Sequence, residues 1–190
     1  MPSSPKIPKE DILDTALKML IRDGYSSINI KTVAKELGCS TQPISWQFGG
    51  MEGLRKELLE YCLSFLENRF AVKGENAAEI IFEIAKGYVS LAFDYPNLYK
   101  YLYMSDLEGK QMGEIARSLR LENHNRVIDM LKKEYGLSAN GAKEYMMNVE
   151  LYVHGVASYT ATGFAFSSLE EIMKMIGNAS DAFLAHAKTM

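Results

Sequence analysis

The stretch TQPISWQF, residues Thr41 to Phe48, holds the side chains best suited to reading a row of hydrogen-bonding groups. A glutamine amide sets a donor beside an acceptor, so Gln42 can grip adenine N6 and N7 in bidentate fashion. Thr41 adds a hydroxyl next to it, and Pro43 offers a small apolar surface for a thymine methyl or stiffens the turn. The indole N–H of Trp46, the only tryptophan, and the ammonium of Lys31 are donors for phosphate oxygens. The plainer alternative is a set of solvated polar residues on a surface turn. Either way this chemistry is recognition and not bond-making.

Catalytic and metal-binding constellations do not emerge elsewhere. His124, His154 and His186 share no ligand spacing with one another or with Cys39 and Cys62. FGGMEG has glycines but neither the lysine-serine/threonine ending nor the preceding strand of a phosphate loop. No nucleophile elbow and no acid/base pair stand out. The chain reads as a non-enzyme that needs no cofactor and no metal.

The short segment carrying Gln42 and Trp46 sits between Gly38 and Gly49-Gly50. Isolated helices below about 12 residues are marginal in water, so its neighbours must hold it. Ser40 is the expected N-cap, Pro43 fits the first turn, and Ile44 and Phe48 form an apolar pair that docks on the two preceding helices. The first of those is EDILDTALKMLIRDG, with an apolar stripe of Ile12, Ala16, Leu17, Leu20 and Ile21 and Gly24 as its stop. The second is NIKTVAKELG, with Asn29 as N-cap and Lys31 in its first turn.

A longer helix is predicted from Met51 to about Lys73, burying Leu54, Leu58, Cys62, Phe65 and Leu66. Further helices are predicted over Ala77–Tyr95, NLYKYLYM, Glu114–Tyr135, Ala139–Thr162 and Leu169–Lys188, the last with capping-box spacing at Ser168 and Glu171. No segment alternates as a strand. The expectation is an all-α fold of about nine helices, with residues 1–50 a helix-turn-helix domain and residues 51–190 a larger helical domain.

Composition limits the partners. A net charge of −3 with 47% hydrophobic residues excludes a polybasic coat, so any nucleic-acid contact is local. Residues 1–50 carry six basic and five acidic side chains, and the remainder 15 and 19. Two cysteines make no disulfide framework. The opening MPSSPKIPK lacks a signal peptide's apolar run, and no apolar stretch is long enough to span a membrane. A cytoplasmic location is expected.

Two short helices joined by GCS, the second bearing an exposed aromatic, match a helix-turn-helix. The run ILDTALKMLIRDGYSSINIKTVAKELGCS, followed by ISWQF and MEGL, resembles the TetR family of transcriptional regulators. YPNLYKYLYM is a weaker echo of a short helix found in many members. The resemblance implies that the Thr41–Phe48 helix enters the major groove of double-stranded operator DNA. It departs from the family at Ser45, where a phosphate-contacting tyrosine is usual, at Gln47, where histidine is common, and at Met51, where lysine is frequent. Lys31, Arg55 and Lys56 are nearby sources of positive charge.

The resemblance further implies an effector pocket and a homodimer face in the remaining two-thirds. Phe82, Tyr88, Phe93, Tyr99, Tyr103, Met104, Tyr145, Met146 and Tyr152 suit a largely apolar effector, with Asn148, Glu150 or His154 orienting a polar end. Most of these belong to the core in any case. Val156 and Tyr159, with Ile172, Ile176, Ala179 and Phe183 on the last helix, form stripes for a partner subunit or for packing within one chain. The reading is a ligand-responsive regulator of repressing sign that binds palindromic operators as a homodimer. The alternative is a helical small-molecule-binding or enzyme-like protein whose helix-turn-helix has lost DNA binding.

Overall fold

The computed structural model describes residues 7–69, 72–105, 124–163 and 168–190. Among these residues the chain is all-helical, with nine α-helices and no strand. In chain order they are α1 (Lys9–Asp23), α2 (Ile30–Glu36), α3 (Gln42–Phe48), α4 (Met51–Arg69), α5 (Ala77–Asp94), α6 (Pro96–Tyr103), α7 (124–135), α8 (Ala139–Ala161) and α9 (Leu169–Ala187). A single 3-10 turn, Tyr25–Ser27, joins α1 to α2. Residues 114–123 of the expected Glu114–Tyr135 helix lie outside the described residues.

The chain divides into two compact units after residue 71. α4, placed by sequence at the head of the second domain, packs on α1 and α3 and so belongs to the first unit. The reason is its apolar line: Leu54, Leu58 and Cys62 are wholly buried, whereas Phe65 and Leu66 further along are half-buried. The core of this unit is completed by Ile12, Ala16, Leu17 and Leu20 of α1 and Val33 and Ala34 of α2.

Gly53 is required by the approach of α4 to α3. A Cβ at that position would lie 1.8 Å from the carbonyl oxygen of Phe48. At the opposite side of α3, Gly38 adopts φ 67, the left-handed region that lets α2 end and the turn begin.

In the second unit α8 is the central helix, packed against α5, α6 and α9. Proline opens α6 at Pro96, where the missing N–H costs nothing, and the N–H of Tyr95 closes α5 on Leu91 O. Ser138 and Ser168 cap α8 and α9 by accepting from the backbone N–H of Gly141 and Glu171. The described part of α7 is tied to its surroundings by Glu134, which accepts from the N–H of Ala77 at 2.9 Å, and by His124, 3.2 Å from Glu150.

Candidate nucleic-acid interface and ligand site

Lys31 is positioned by a reciprocal cap. Asn29 Oδ1 accepts from the N–H groups of Lys31 and Thr32 at 3.0 Å, and Thr32 Oγ1 accepts from the Asn29 N–H at 3.1 Å. The first turn of α2 is thereby fixed, with the Lys31 side chain exposed.

α3 follows by way of a tight turn in which the Cys39 N–H returns to Ala34 O at 2.9 Å. Its N-cap position is Thr41, not the expected Ser40, and Thr41 has helical φ −70 and makes no side-chain cap. Pro43 sits in the first turn as expected. Ile44 and Phe48 are buried, each burial worth roughly 1.5–3 kcal/mol. α3 packs chiefly on α4, which the sequence did not indicate, and less extensively on α2, one of the two helices expected to hold it. α1 contributes from its start: Lys9 Nζ lies 5.0 Å from the centre of the Phe48 ring and 2.6 Å from Glu57 Oε1.

With Ile44 and Phe48 turned inward, the opposite face of α3 is open. Thr41, Gln42 and Ser45 are exposed and Pro43 is half-buried. Trp46 is 76% exposed, a large apolar surface on an otherwise polar face. Gln47 has a different setting: it is half-buried, and its Nε2 donates to the carbonyl of Ile7 at 3.0 Å. That hydrogen bond could not be read from spacing, because its partner is a backbone oxygen far away in sequence. Arg55 and Lys56 are exposed on α4.

The six residues expected at the ligand site separate. Tyr88, Tyr103 and His154 come together, joined by Tyr99 and Ser158. Tyr145 and Tyr152 lie on another face of α8: Tyr145 Oη meets Ser180 Oγ of α9 at 2.7 Å, and the Tyr152 ring meets Phe183 edge to face at 6.0 Å. The physical reason is helical phase. At about 100° per residue, Tyr145 and His154 point half a turn apart. Burial pushes the Tyr145 phenol up from its usual range, against the lowering effect of Ser180. Phe82 is exposed on α5 and makes no ring contact with the Tyr88 cluster. Ser158 was missed by the sequence reading, although it lies one turn after His154.

The expected partner face also changes. Ile172 and Ile176 are 0% and 4% exposed, packed inside their own unit, so they cannot present a surface to a second subunit without unfolding it. Ala179 and Phe183 are half-buried, and Val156 is buried. Met147, Leu151 and Tyr159 are instead exposed at 54%, 62% and 58%, four or eight residues apart on α8. Leu151, Tyr152, Gly155, Val156 and Tyr159 line an open apolar groove there.

Cys39 is half-buried and Cys62 buried. Desolvation pushes the Cys62 thiol up to about 12, which makes it an inert core residue. Among the described residues no three histidines, cysteines or carboxylates lie together as a metal site, and no helix is long and apolar enough to cross a membrane.

No curated protein matched the sequence. Residues 12–58, which run from the core of α1 through α3 to Leu58 of α4, match the family described as bacterial regulatory proteins, tetR family. On that match, with the open face of α3 that it encloses, residues 12–58 are similar to the DNA-binding domain of tetR-family bacterial regulatory proteins.

Proposed function

We propose that the protein is a ligand-responsive repressor that binds palindromic operator DNA as a homodimer. The observation that carries the DNA half is the division of α3 into a buried Ile44/Phe48 edge and an exposed face of Thr41, Gln42, Ser45 and Trp46. In a helix-turn-helix that face enters the major groove. Thr41, Gln42 and Pro43 are assigned to base edges, and Lys31, Ser45 and Trp46 to the phosphate backbone. Gln47 acts mainly by fixing the start of α1, with its amide oxygen left for a backbone or water contact.

The α8 stripe of Met147, Leu151 and Tyr159 supports the homodimer, since large apolar side chains in series on one helix are an unfavourable surface for a monomer. Gly155 within the groove permits close approach of a second helix. The tyrosine-histidine cluster supports a small-molecule effector. Such an effector shifts the regulator between states only by its differential affinity for them. The working location is the cytoplasm, where the operator is.

Selection of the full-length protein on random duplexes, followed by gel shift, tests the reading. Enrichment of a palindrome with half-sites about 34–36 Å apart, or a multiple of that spacing, is expected. Failure to enrich any sequence would favour a helical small-molecule-binding protein whose helix-turn-helix does not bind DNA.

A further inference from the structure

One polar network in the second unit crosses three helices. Tyr88 Oη of α5 lies 2.7 Å from His154 Nδ1 of α8. Tyr99 Oη of α6 is 3.3 Å from both of these atoms and 3.2 Å from Ser158 Oγ of α8. Access is graded along the network: Tyr99 is fully buried, Tyr88 and Ser158 are half-buried, and His154 is exposed. The ring of Tyr103, also exposed, stands 4.8 Å from that of Tyr88 and 5.2 Å from that of Tyr99. An accessible imidazole is thus backed by one buried and two half-buried hydroxyls and flanked by tyrosine rings.

Building on the effector reading above, we propose that this network is the polar end of the effector site and that the effector is a carboxylate carried on a flat apolar body. A neutral imidazole accepts at one nitrogen and donates from the other. In the tautomer that accepts from Tyr88 Oη at Nδ1, with Tyr99 Oη donating to Tyr88 Oη, Nε2 holds the proton and is a donor toward an incoming group. The network also runs in the opposite sense. When His154 takes a second proton from solvent at Nδ1, that N–H donates to Tyr88 Oη, the Tyr88 hydroxyl to Tyr99 Oη, and the Tyr99 hydroxyl to Ser158 Oγ. Each of these atoms keeps a partner, which avoids the penalty of a buried polar group left without one.

The imidazolium form needs a counter-charge. Among the described residues His154 makes no ion pair, and Glu150, one turn earlier on α8, is paired with His124 at 3.2 Å. Among the described residues, the titratable side chains within hydrogen-bonding distance of the imidazole are Tyr88 and Tyr99, whose hydroxyls can donate or accept. A ligand carboxylate at Nε2 completes the set. A carboxylate accepting from Nε2–H makes a charge-assisted hydrogen bond, shorter and stronger than one to a neutral amide oxygen. The faces and edges of Tyr88 and Tyr103 suit a flat apolar body.

Calorimetric titration of the full-length protein with naphthoate and with neutral naphthamide tests this, near neutral pH and in two buffers of different ionisation heat. Naphthoate is expected to bind at least about tenfold more tightly than the amide, which is about 1.4 kcal/mol. Its heat should differ between buffers by the uptake of up to one proton per site. His154→Gln, which keeps a hydrogen-bonding amide, should abolish both the preference for acid and the proton uptake while melting at the wild-type temperature. Tyr88→Phe should reduce the uptake without removing the exposed imidazole. Equal or tighter binding of the amide, absence of proton uptake, retention of both properties in His154→Gln, or binding of neither probe would each overturn the assignment. Amide binding that weakens operator binding would overturn the carboxylate assignment alone and leave the ligand-responsive regulator standing.

Discussion

The side-chain amide of Gln47 donates from Nε2 to the carbonyl oxygen of Ile7 at 3.0 Å, tying the last turn of α3 to the residue that leads into α1. Together with Lys9 over the Phe48 ring and against Glu57, it fastens the start of α1 across the end of the recognition helix. Gln47→Ala removes the amide donor and should lower stability by about 1 kcal/mol. Urea denaturation measures this directly. Unchanged stability with a large loss of operator affinity would make Gln47 a DNA contact first and a clasp second.

Gln42 and Lys31 should fail in different ways. Gln42→Ala is expected to cost roughly 1–3 kcal/mol on the operator and to relax preference at one base pair per half-site. Lys31→Ala should weaken operator and random duplex alike and reduce the salt slope by about one per site. Gel shifts at several salt concentrations separate the two. Equal losses on specific and random DNA for both variants would remove Gln42 as a reader.

Dimerisation should follow exposure rather than the apolar pattern of α9. Leu151→Glu with Tyr159→Glu is expected to give a folded monomer in analytical ultracentrifugation, since exposed substitutions usually alter stability by no more than about 0.5 kcal/mol. Ile176→Asp buries a charge in the core and should destabilise the unit by several kcal/mol instead, about 3 or more. A wild-type protein that sediments as a monomer at micromolar concentration would defeat the dimer reading.

Gly53→Ala places a Cβ 1.8 Å from the Phe48 carbonyl oxygen, a backbone atom that cannot swing aside. The α3–α4 corner must open to admit it, at about 1–3 kcal/mol. The expected result is a lower melting temperature together with weaker operator binding, because α3 is held mainly by α4. A variant with wild-type melting and operator affinity would show that the corner is compliant.

Cys62 should be silent toward thiol reagents at mildly alkaline pH while half-buried Cys39 reacts, and denaturant should unmask it. Burial favours its neutral thiol, raising the folded value from 9.0 to about 12. Its contribution to stability is therefore complete below about pH 9 and is lost as pH climbs toward about 12. Labelling followed by mass spectrometry, with and without urea, checks the order of reaction.

The sequence by itself determined the helical class, the approximate helix limits, the Asn29 cap, the Pro43 first turn and the inward pair Ile44 and Phe48. These are local matters, governed by spacing along a helix of 3.6 residues per turn and by which side chains can satisfy a helix end. Trp46 was legible for the same reason, lying off the apolar line of a helix too short to bury two faces. Tertiary structure decided what lay across chain gaps. It placed Gln47 on the Ile7 carbonyl, and it set Tyr145 and Tyr152 against α9 while drawing Tyr88, Tyr99, His154 and Ser158 into one network. It also buried Ile172 and Ile176 and left Met147, Leu151 and Tyr159 exposed. An apolar stripe states that a helix face will be covered, whereas the covering surface is chosen by the packing of α5, α6, α8 and α9 together.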